Sequence, residues 1–400
     1  MCFLYNFSAM ENNNTDTKNV RALFWLSGGH FVNDIYTGLL NPIMPFIAAK
    51  LAFSMAFATV IMSIAQIFSN LLQPLFGFYA DRFHKRFFIF WGLLMSSMFI
   101  SFAPGAPSIP FLIFFIIFGS LGSSFFHPQA LGVVTYFAGN SAAKSLGVFL
   151  SMGTVGYAFG PILSAYVAQF WGFERMPVLA VFGICWALLM FAFVPKFSIV
   201  SSALKSTSLS RTFSDILSNN ELRILIVISM LKTLINNSCA ILLPFLWKSM
   251  GCSPFYIGVA LFLFIFAGGI GSLISRNAEQ ILGTRNIFYF SMTSTLPLMI
   301  LFILTYKVMP VFSLVIFALM GMFTMMAFPV TMYLAQNVLP QYKSVISGFI
   351  NGFSWGIVAI CMTIIGFAAQ NFGITKVLLI VAVIPAICSP LVRKLNIEKE

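Results

Sequence analysis

Apolar residues run along this chain in long stretches, interrupted by Pro, Gly or short polar clusters. A membrane-spanning helix needs about 20 such residues. Reading the apolar runs between breaks predicts twelve spans, near 22–49, 55–77, 87–104, 109–137, 142–170, 176–194, 222–247, 254–274, 286–304, 309–337, 344–371 and 374–392. The long polar stretch "PKFSIVSSALKSTSLSRTFSDILSNNELR", residues 195–223, divides the twelve into two sets of six. The predicted organisation is a tail over 1–21, a six-helix bundle over 22–194, a linker over 195–221, a second bundle over 222–392 and a short tail over 393–400.

The two sets repeat each other in order. The first span ends in Pro45-Phe46 and the seventh in Pro244-Phe245, and Ser54 and Ser253 each follow nine residues after the Pro. "FFHP" (Phe125–Pro128) matches "AFP" (Ala327–Pro329), "AAKS" (Ala142–Ser145) matches "QYKS" (Gln341–Ser344), and "AQFWG" (Ala168–Gly172) matches "AQNFG" (Ala369–Gly373). The shared order points to a duplicated six-helix unit, and transporters commonly bind substrate where such repeats meet. The fold class expected is an all-α polytopic membrane protein, with twelve transmembrane helices in two pseudo-symmetric six-helix bundles.

Composition agrees. The 400 residues are 60% hydrophobic and 8% charged, with 48 Phe and a mean hydropathy of +0.96. A soluble chain of this size carries about a quarter of its residues charged, so lipid is the solvent for much of this one. The formal charge of +12 needs no nucleic acid: with the N-terminus inside, sixteen of the 22 basic residues fall on or near the inner side and five on the outer, with Lys232 alone well inside a span. That asymmetry predicts both termini to be cytoplasmic. The six cysteines are scattered without metal-ligand spacing, so neither disulfides nor a metal site is indicated, and no cofactor is expected. The segment before Met10 is too weakly apolar for a signal peptide, which makes Met10 an alternative start.

A few polar residues stand out against this background. In the first span, "GGHFVNDIYTGLLNPIMPF" places His30, Asn33 and Asp34 within little more than a turn. If the helix starts near Ala22, Asp34 lies roughly 18 Å into a hydrocarbon core of about 30 Å. An ionised side chain there costs roughly 2.5–3.5 kcal/mol, which marks it as a functional candidate facing a cavity or a partner. His30 and Asp34, four apart, share a face. Lys232 lies twelve residues before Pro244 as Asp34 lies eleven before Pro45, so the repeat puts opposite charges at similar depth in equivalent helices. His127, just before Pro128, sits at an expected helix break that frees a backbone carbonyl. The expected role of Asp34, His30, His127 and Lys232 is proton coupling and substrate binding, with Lys232 opposing protonation of Asp34 or pairing with an anionic substrate group. The competing reading is a static buried ion pair with a core histidine. Asn33 and Tyr36 serve equally well as substrate contacts or as interhelical hydrogen bonds.

The loop between the second and third spans reads "GFYADRFHKR", Gly77–Arg86, and resembles the signature loop of the major facilitator superfamily. Gly77 allows close helix approach, and Asp81, Arg82, Lys85 and Arg86 can pair as an inner gate; His84 stands where the motif has a second Gly. "GTVGYAFGP", with Gly153, Gly156, Gly160 and Pro161, resembles the fifth-helix motif of the antiporters in that superfamily; ordinary small-residue packing is the alternative. "GHFVNDIY", "LLQPLFG" (Leu71–Gly77) and "GSSFFHPQA" (Gly122–Ala130) together resemble its fosmidomycin-resistance branch. The resemblance implies the major facilitator fold, alternating access, and proton-driven export of a drug or small metabolite across a bacterial plasma membrane. The partners it implies are the bilayer, protons and a small molecule, with the protein acting as a monomer. In this superfamily the first and seventh helices line the cavity, so protonating Asp34 would release Lys232 and let the halves rearrange. An uptake permease or facilitator is the alternative. A polytopic enzyme is a remote one, since no carboxylate pair, GxSxG or metal-ligand spacing appears on the spans.

Overall fold

The computed structural model describes residues 18–73, 76, 87–196, 209–339, 346 and 348–395, and among these no β-strand occurs. Among the described residues ten helices are long and apolar enough to cross a membrane. Numbering the spans in chain order, these are α3 (Phe87–Gly105), α4 (Ile109–Ala138), α5 (Lys144–Phe170), α6 (Phe173–Phe193), α7 (Asn220–Ser249), α8 (Pro254–Leu273), α9 (Thr284–Thr305), α10 (Pro310–Val338), α11 (Phe349–Phe372) and α12 (Ile374–Lys394). Ahead of them lie α1 (Val20–Gly38, resuming as Met44–Lys50) and α2 (Met55–Asn70), which complete the twelve. Most ends fall within a few residues of the apolar runs. Large aliphatic side chains such as Ile364 and Ile387, about 70% exposed, cover the outside of helices whose backbone is satisfied internally. Lipid tolerates that arrangement and water does not. The chain is an integral membrane protein.

Prolines decide where the helices are interrupted. Pro42 has no N–H to donate to the Gly38 carbonyl and disfavours helical geometry at Asn41, so α1 stops at Gly38 and resumes at Met44. In α10 the helix breaks at Ala327, two residues before Pro329. The Met325 carbonyl that Pro329 cannot serve accepts instead from the Ser272 hydroxyl at 3.3 Å. Pro128 behaves differently from expectation. α4 runs unbroken from Ile109 to Ala138 with Pro128 inside it. The carbonyl a proline releases lies four residues back, at Ser124, and the loss of one bond in a 30-residue helix packed on several sides does not break it.

Two compact units make up the chain: Met1–Leu40 with Ile64–Thr212, and Asn41–Ser63 with Phe213–Glu400. In the first unit α1 lies along α5 because α5 presents glycines to it. A Cβ at Gly156 would run into the Phe31 carbonyl, and one at Gly160 into the Ile35 carbonyl. Small-residue contacts of this kind let two backbones approach where lipid supplies no hydrophobic drive. α3 and α4 meet in the same way through Gly92 and Gly122, beside buried Ser96, Ser97, Ser120 and Ser123.

In the second unit α8 meets α10 through Gly271 and Gly321. Leu225, Ile228, Phe288, Val330 and Ile350 belong to the apolar cluster at its core. Residues 41–63 pack inside this unit: Ala56 N–H donates to Gln370 at 2.9 Å, Lys248 Nζ donates to the Pro45 carbonyl at 2.7 Å, and Thr363 Oγ1 lies 3.3 Å from Ser63 Oγ.

Candidate functional site

The interior of the first unit holds one concentrated group of ionisable side chains. The i, i+4 spacing on α1 brings His30 Nε2 to 3.2 Å from Asp34 Oδ2. From α4, His127 Nε2 reaches the other oxygen, Oδ1, at 3.1 Å. One carboxylate therefore sits between two imidazoles, on α1 and α4, that are 97 residues apart in the chain. Asn33 Nδ2 donates to Asp34 Oδ1 at 3.1 Å and lies 3.3 Å from Ser123 Oγ. The His30 ring stacks on Phe149 of α5 at 4.1 Å between centroids and meets His127 edge-on at 5.1 Å. Gly153 forms the roof, where any Cβ would strike the His30 ring and lie 2.8 Å from Asp34 Oδ2.

The far side of each imidazole fixes its protonation. His30 Nδ1 lies 2.8 Å from the Phe149 carbonyl, and His127 Nδ1 lies 2.8 Å from the Ser123 carbonyl. A carbonyl oxygen only accepts, so each Nδ1 carries hydrogen and donates. A neutral imidazole of that tautomer turns a bare Nε2 lone pair toward the carboxylate. Each Nε2–oxygen contact then needs a proton of its own, a count that follows from the hydrogen-bond partners. Serving both contacts as hydrogen bonds takes two protons shared among the three side chains. Removing either proton sets lone pair against lone pair and drives the groups apart.

Other expected site residues lie elsewhere. The Tyr36 hydroxyl, on a different face of α1, donates to the Leu179 carbonyl of α6 at 2.7 Å and so ties α1 to α6. Lys232 is buried in the second unit, where Nζ donates to Thr331 Oγ1 at 3.2 Å and sits 5.2 Å over the Phe288 ring. Thr331 passes its own hydroxyl hydrogen to the Ala327 carbonyl at 2.7 Å. No carboxylate of that unit pairs with Lys232 among the described residues. Of the fifth-helix motif, Gly153 touches the triad, Gly156 and Gly160 seat α5 on α1, and Pro161 lies against Gly38. Gly77, Asp81, Arg82, Lys85 and Arg86 lie outside the described residues. Sequence reasoning missed Ser123 and Phe149. Ser123 was findable as the residue one turn before His127, whereas nothing along the chain marks the Phe149 carbonyl.

Among the described residues, membrane-spanning helices fall into two units, and each unit buries an ionisable side chain mid-helix, His30 in α1 and Lys232 in α7, an architecture that fits a polytopic membrane transporter. The chain belongs to the Major Facilitator Superfamily, whose sequence profile matches residues 26–363. It is similar to the fosmidomycin resistance protein of Escherichia coli, at 22% identity over 92% of both chains. It is also similar to the uncharacterized MFS-type transporter YfnC of Bacillus subtilis, at 22% identity over 90% of this chain and 88% of that one. Among solved structures, a bacterial homolog of the human lysosomal transporter Spinster, inward-facing and occupied, superposes with a TM-score of 0.72 at 14% identity over 93% of this chain and 95% of that one. The nucleoside transporter NupG superposes with a TM-score of 0.71 at 15% identity, over 93% and 99%. The fold is thus that of a twelve-helix transporter, and the enzyme alternative falls with the family assignment.

Proposed function

We propose that this chain is a proton-coupled exporter of small organic molecules, an antiporter working as a monomer in a bacterial plasma membrane with both termini in the cytoplasm. The observation that carries the reading is the His30–Asp34–His127 triad, one carboxylate held between two imidazoles at 3.2 and 3.1 Å. Loading and unloading protons there changes the packing of α1 against α4 and α5, which is the coupling an antiporter requires. Lys232, buried and without a carboxylate partner in its own unit among the described residues, takes an anionic group of the substrate. The loop Gly77–Arg86, with Asp81, Arg82, Lys85 and Arg86, serves as the inner gate, and the bundles 22–194 and 222–392 are the bodies that alternate access. The excess of basic residues on one side supports the orientation, and the similarity to a protein named for fosmidomycin resistance supports export.

The test uses proteoliposomes with a trapped pH dye, comparing wild type with Asp34→Asn while a panel of phosphonates, drugs and metabolites is presented. Proton movement that requires a substrate and vanishes in Asp34→Asn is the expected result, and its sign gives the direction. Substrate flux without proton movement, unchanged in Asp34→Asn, would make the chain a facilitator and reduce the triad to a packing device.

A further inference from the structure

The triad is a cation site, and a proton is not the only cation its geometry suits. We infer that His30, Asp34 and His127 also bind one first-row divalent transition cation, such as Co²⁺, Zn²⁺ or Mn²⁺, in place of the two shared protons. This rests on the reading of the triad as the coupling site and names a second class of ion for it.

Three observations point the same way. First, the donor set is two imidazoles and one carboxylate, with one ligand atom from each lying within 4.8 Å of the others. Nitrogen and oxygen donors of this kind suit first-row divalent ions, and two histidines with one carboxylate leave coordination positions open. Second, the separations from the two imidazole nitrogens to the two carboxylate oxygens fit ligands of one ion. Ligands held about 2.1 Å from a metal at angles of roughly 90–110° lie roughly 3.0–3.4 Å apart. The two Nε2–oxygen separations, 3.2 and 3.1 Å, fall in that range, and both exceed the roughly 2.7–2.9 Å of a charge-assisted hydrogen bond. Third, the outer shell is already set. Each Nδ1 donates to a backbone carbonyl at 2.8 Å, the second-shell bond that metal-bound histidines make with their other nitrogen, and it leaves the Nε2 lone pair for the ion.

The chain order gives no hint of such a site, because its ligands lie four residues apart on α1 and 93 residues away on α4.

The full chain, purified in detergent and held at one fixed pH, is titrated with Co²⁺ and followed by visible d–d absorption and by calorimetry. One ion per chain is expected, without the thiolate charge-transfer band that cysteine ligation would add. Affinity should fall by more than about 100-fold in Asp34→Asn and in His127→Gln, since loss of a ligand exceeds the effect of losing a second-shell partner. His84→Gln, which alters the one remaining histidine, should bind as wild type does. His127→Gln keeps the test alive if Asp34→Asn fails to fold, with monodispersity checked for both. No Co²⁺ binding by wild type, or binding retained in His127→Gln, overturns the inference. Substrate-driven proton movement, measured in parallel, separates the two claims: movement without Co²⁺ binding overturns the metal site alone, and Co²⁺ binding without movement supports the site while overturning the proton reading.

Discussion

Gly153 offers the sharpest perturbation of the triad, because it changes neither a charge nor a hydrogen-bonding group. In Gly153→Ala the new Cβ would overlap His30 Cε1 and Nε2 and sit 2.8 Å from Asp34 Oδ2, where ordinary contact begins at 3.4 Å. The carboxylate oxygen would have to retreat by roughly 0.6 Å and the ring by more, against the stack on Phe149. The His30–Asp34 contact is already 3.2 Å long, so a retreat of that size takes it beyond hydrogen-bonding range. Losing one hydrogen bond to a charged group costs about 1.5–3 kcal/mol, or roughly one to two decades in the occupancy of the intact triad. Gly147 is the matched control: it lies on the same helix with nothing within 4 Å of its virtual Cβ. Gly147→Ala should leave transport unchanged and add up to about 1 kcal/mol of helix propensity. The assay is the initial rate of substrate-driven pH change in proteoliposomes, normalised to monodisperse reconstituted protein. Gly153→Ala should lower that rate roughly tenfold or more. A well-folded Gly153→Ala protein moving protons at the wild-type rate would refute the steric argument and with it the role of the triad.

Two further substitutions separate packing from transport. Tyr36→Phe removes the hydroxyl that serves the Leu179 carbonyl, and should cost about 1–3 kcal/mol of stability. It should lower the thermal midpoint in detergent with proton coupling intact, so lost coupling at normal stability would move Tyr36 into the site. Lys232→Met exchanges a buried amine for an apolar chain of similar length, a change that is often neutral or stabilising when a buried charge is poorly paired. Its thermal midpoint should hold or rise while transport of anionic substrates falls at least about tenfold, the scale of one lost charge-assisted bond. A collapse in stability would show that Lys232 has an ion-pair partner.

The spans were legible because their signal is local and strong: roughly twenty apolar residues and a proline leave little room for another reading. The interruption of α1 follows from Pro42 in the same way. Pro128 misleads because a proline's effect depends on what packs around the helix, and Phe126 and Ala130 beside it are fully buried. At the site, the pairing of His30 with Asp34 follows from helical periodicity alone. His127 was found as a candidate by its position in an apolar span, but that it shares a carboxylate with His30 depends on how α4 lies against α1. The glycines of α5 read as a motif; the carbonyls they bring to α1 do not, since backbone acceptors leave no trace in residue type. By residue type Asn33 suits a substrate contact or an interhelical bond equally, and its amide lies on both Asp34 and Ser123.

The allegiance of residues 41–63 has a consequence for how the protein can be made. Ile43, Met44, Ile47, Ala56 and Ile61, all at most 1% exposed, belong by sequence to the first six helices and by packing to the unit that contains α7 and α11. A fragment ending in the linker would emerge from the ribosome with this hairpin finished and its docking surface not yet synthesised. The two halves should therefore be coupled in assembly: expressed without α7 and α11, residues 41–63 would lack the partners they pack against.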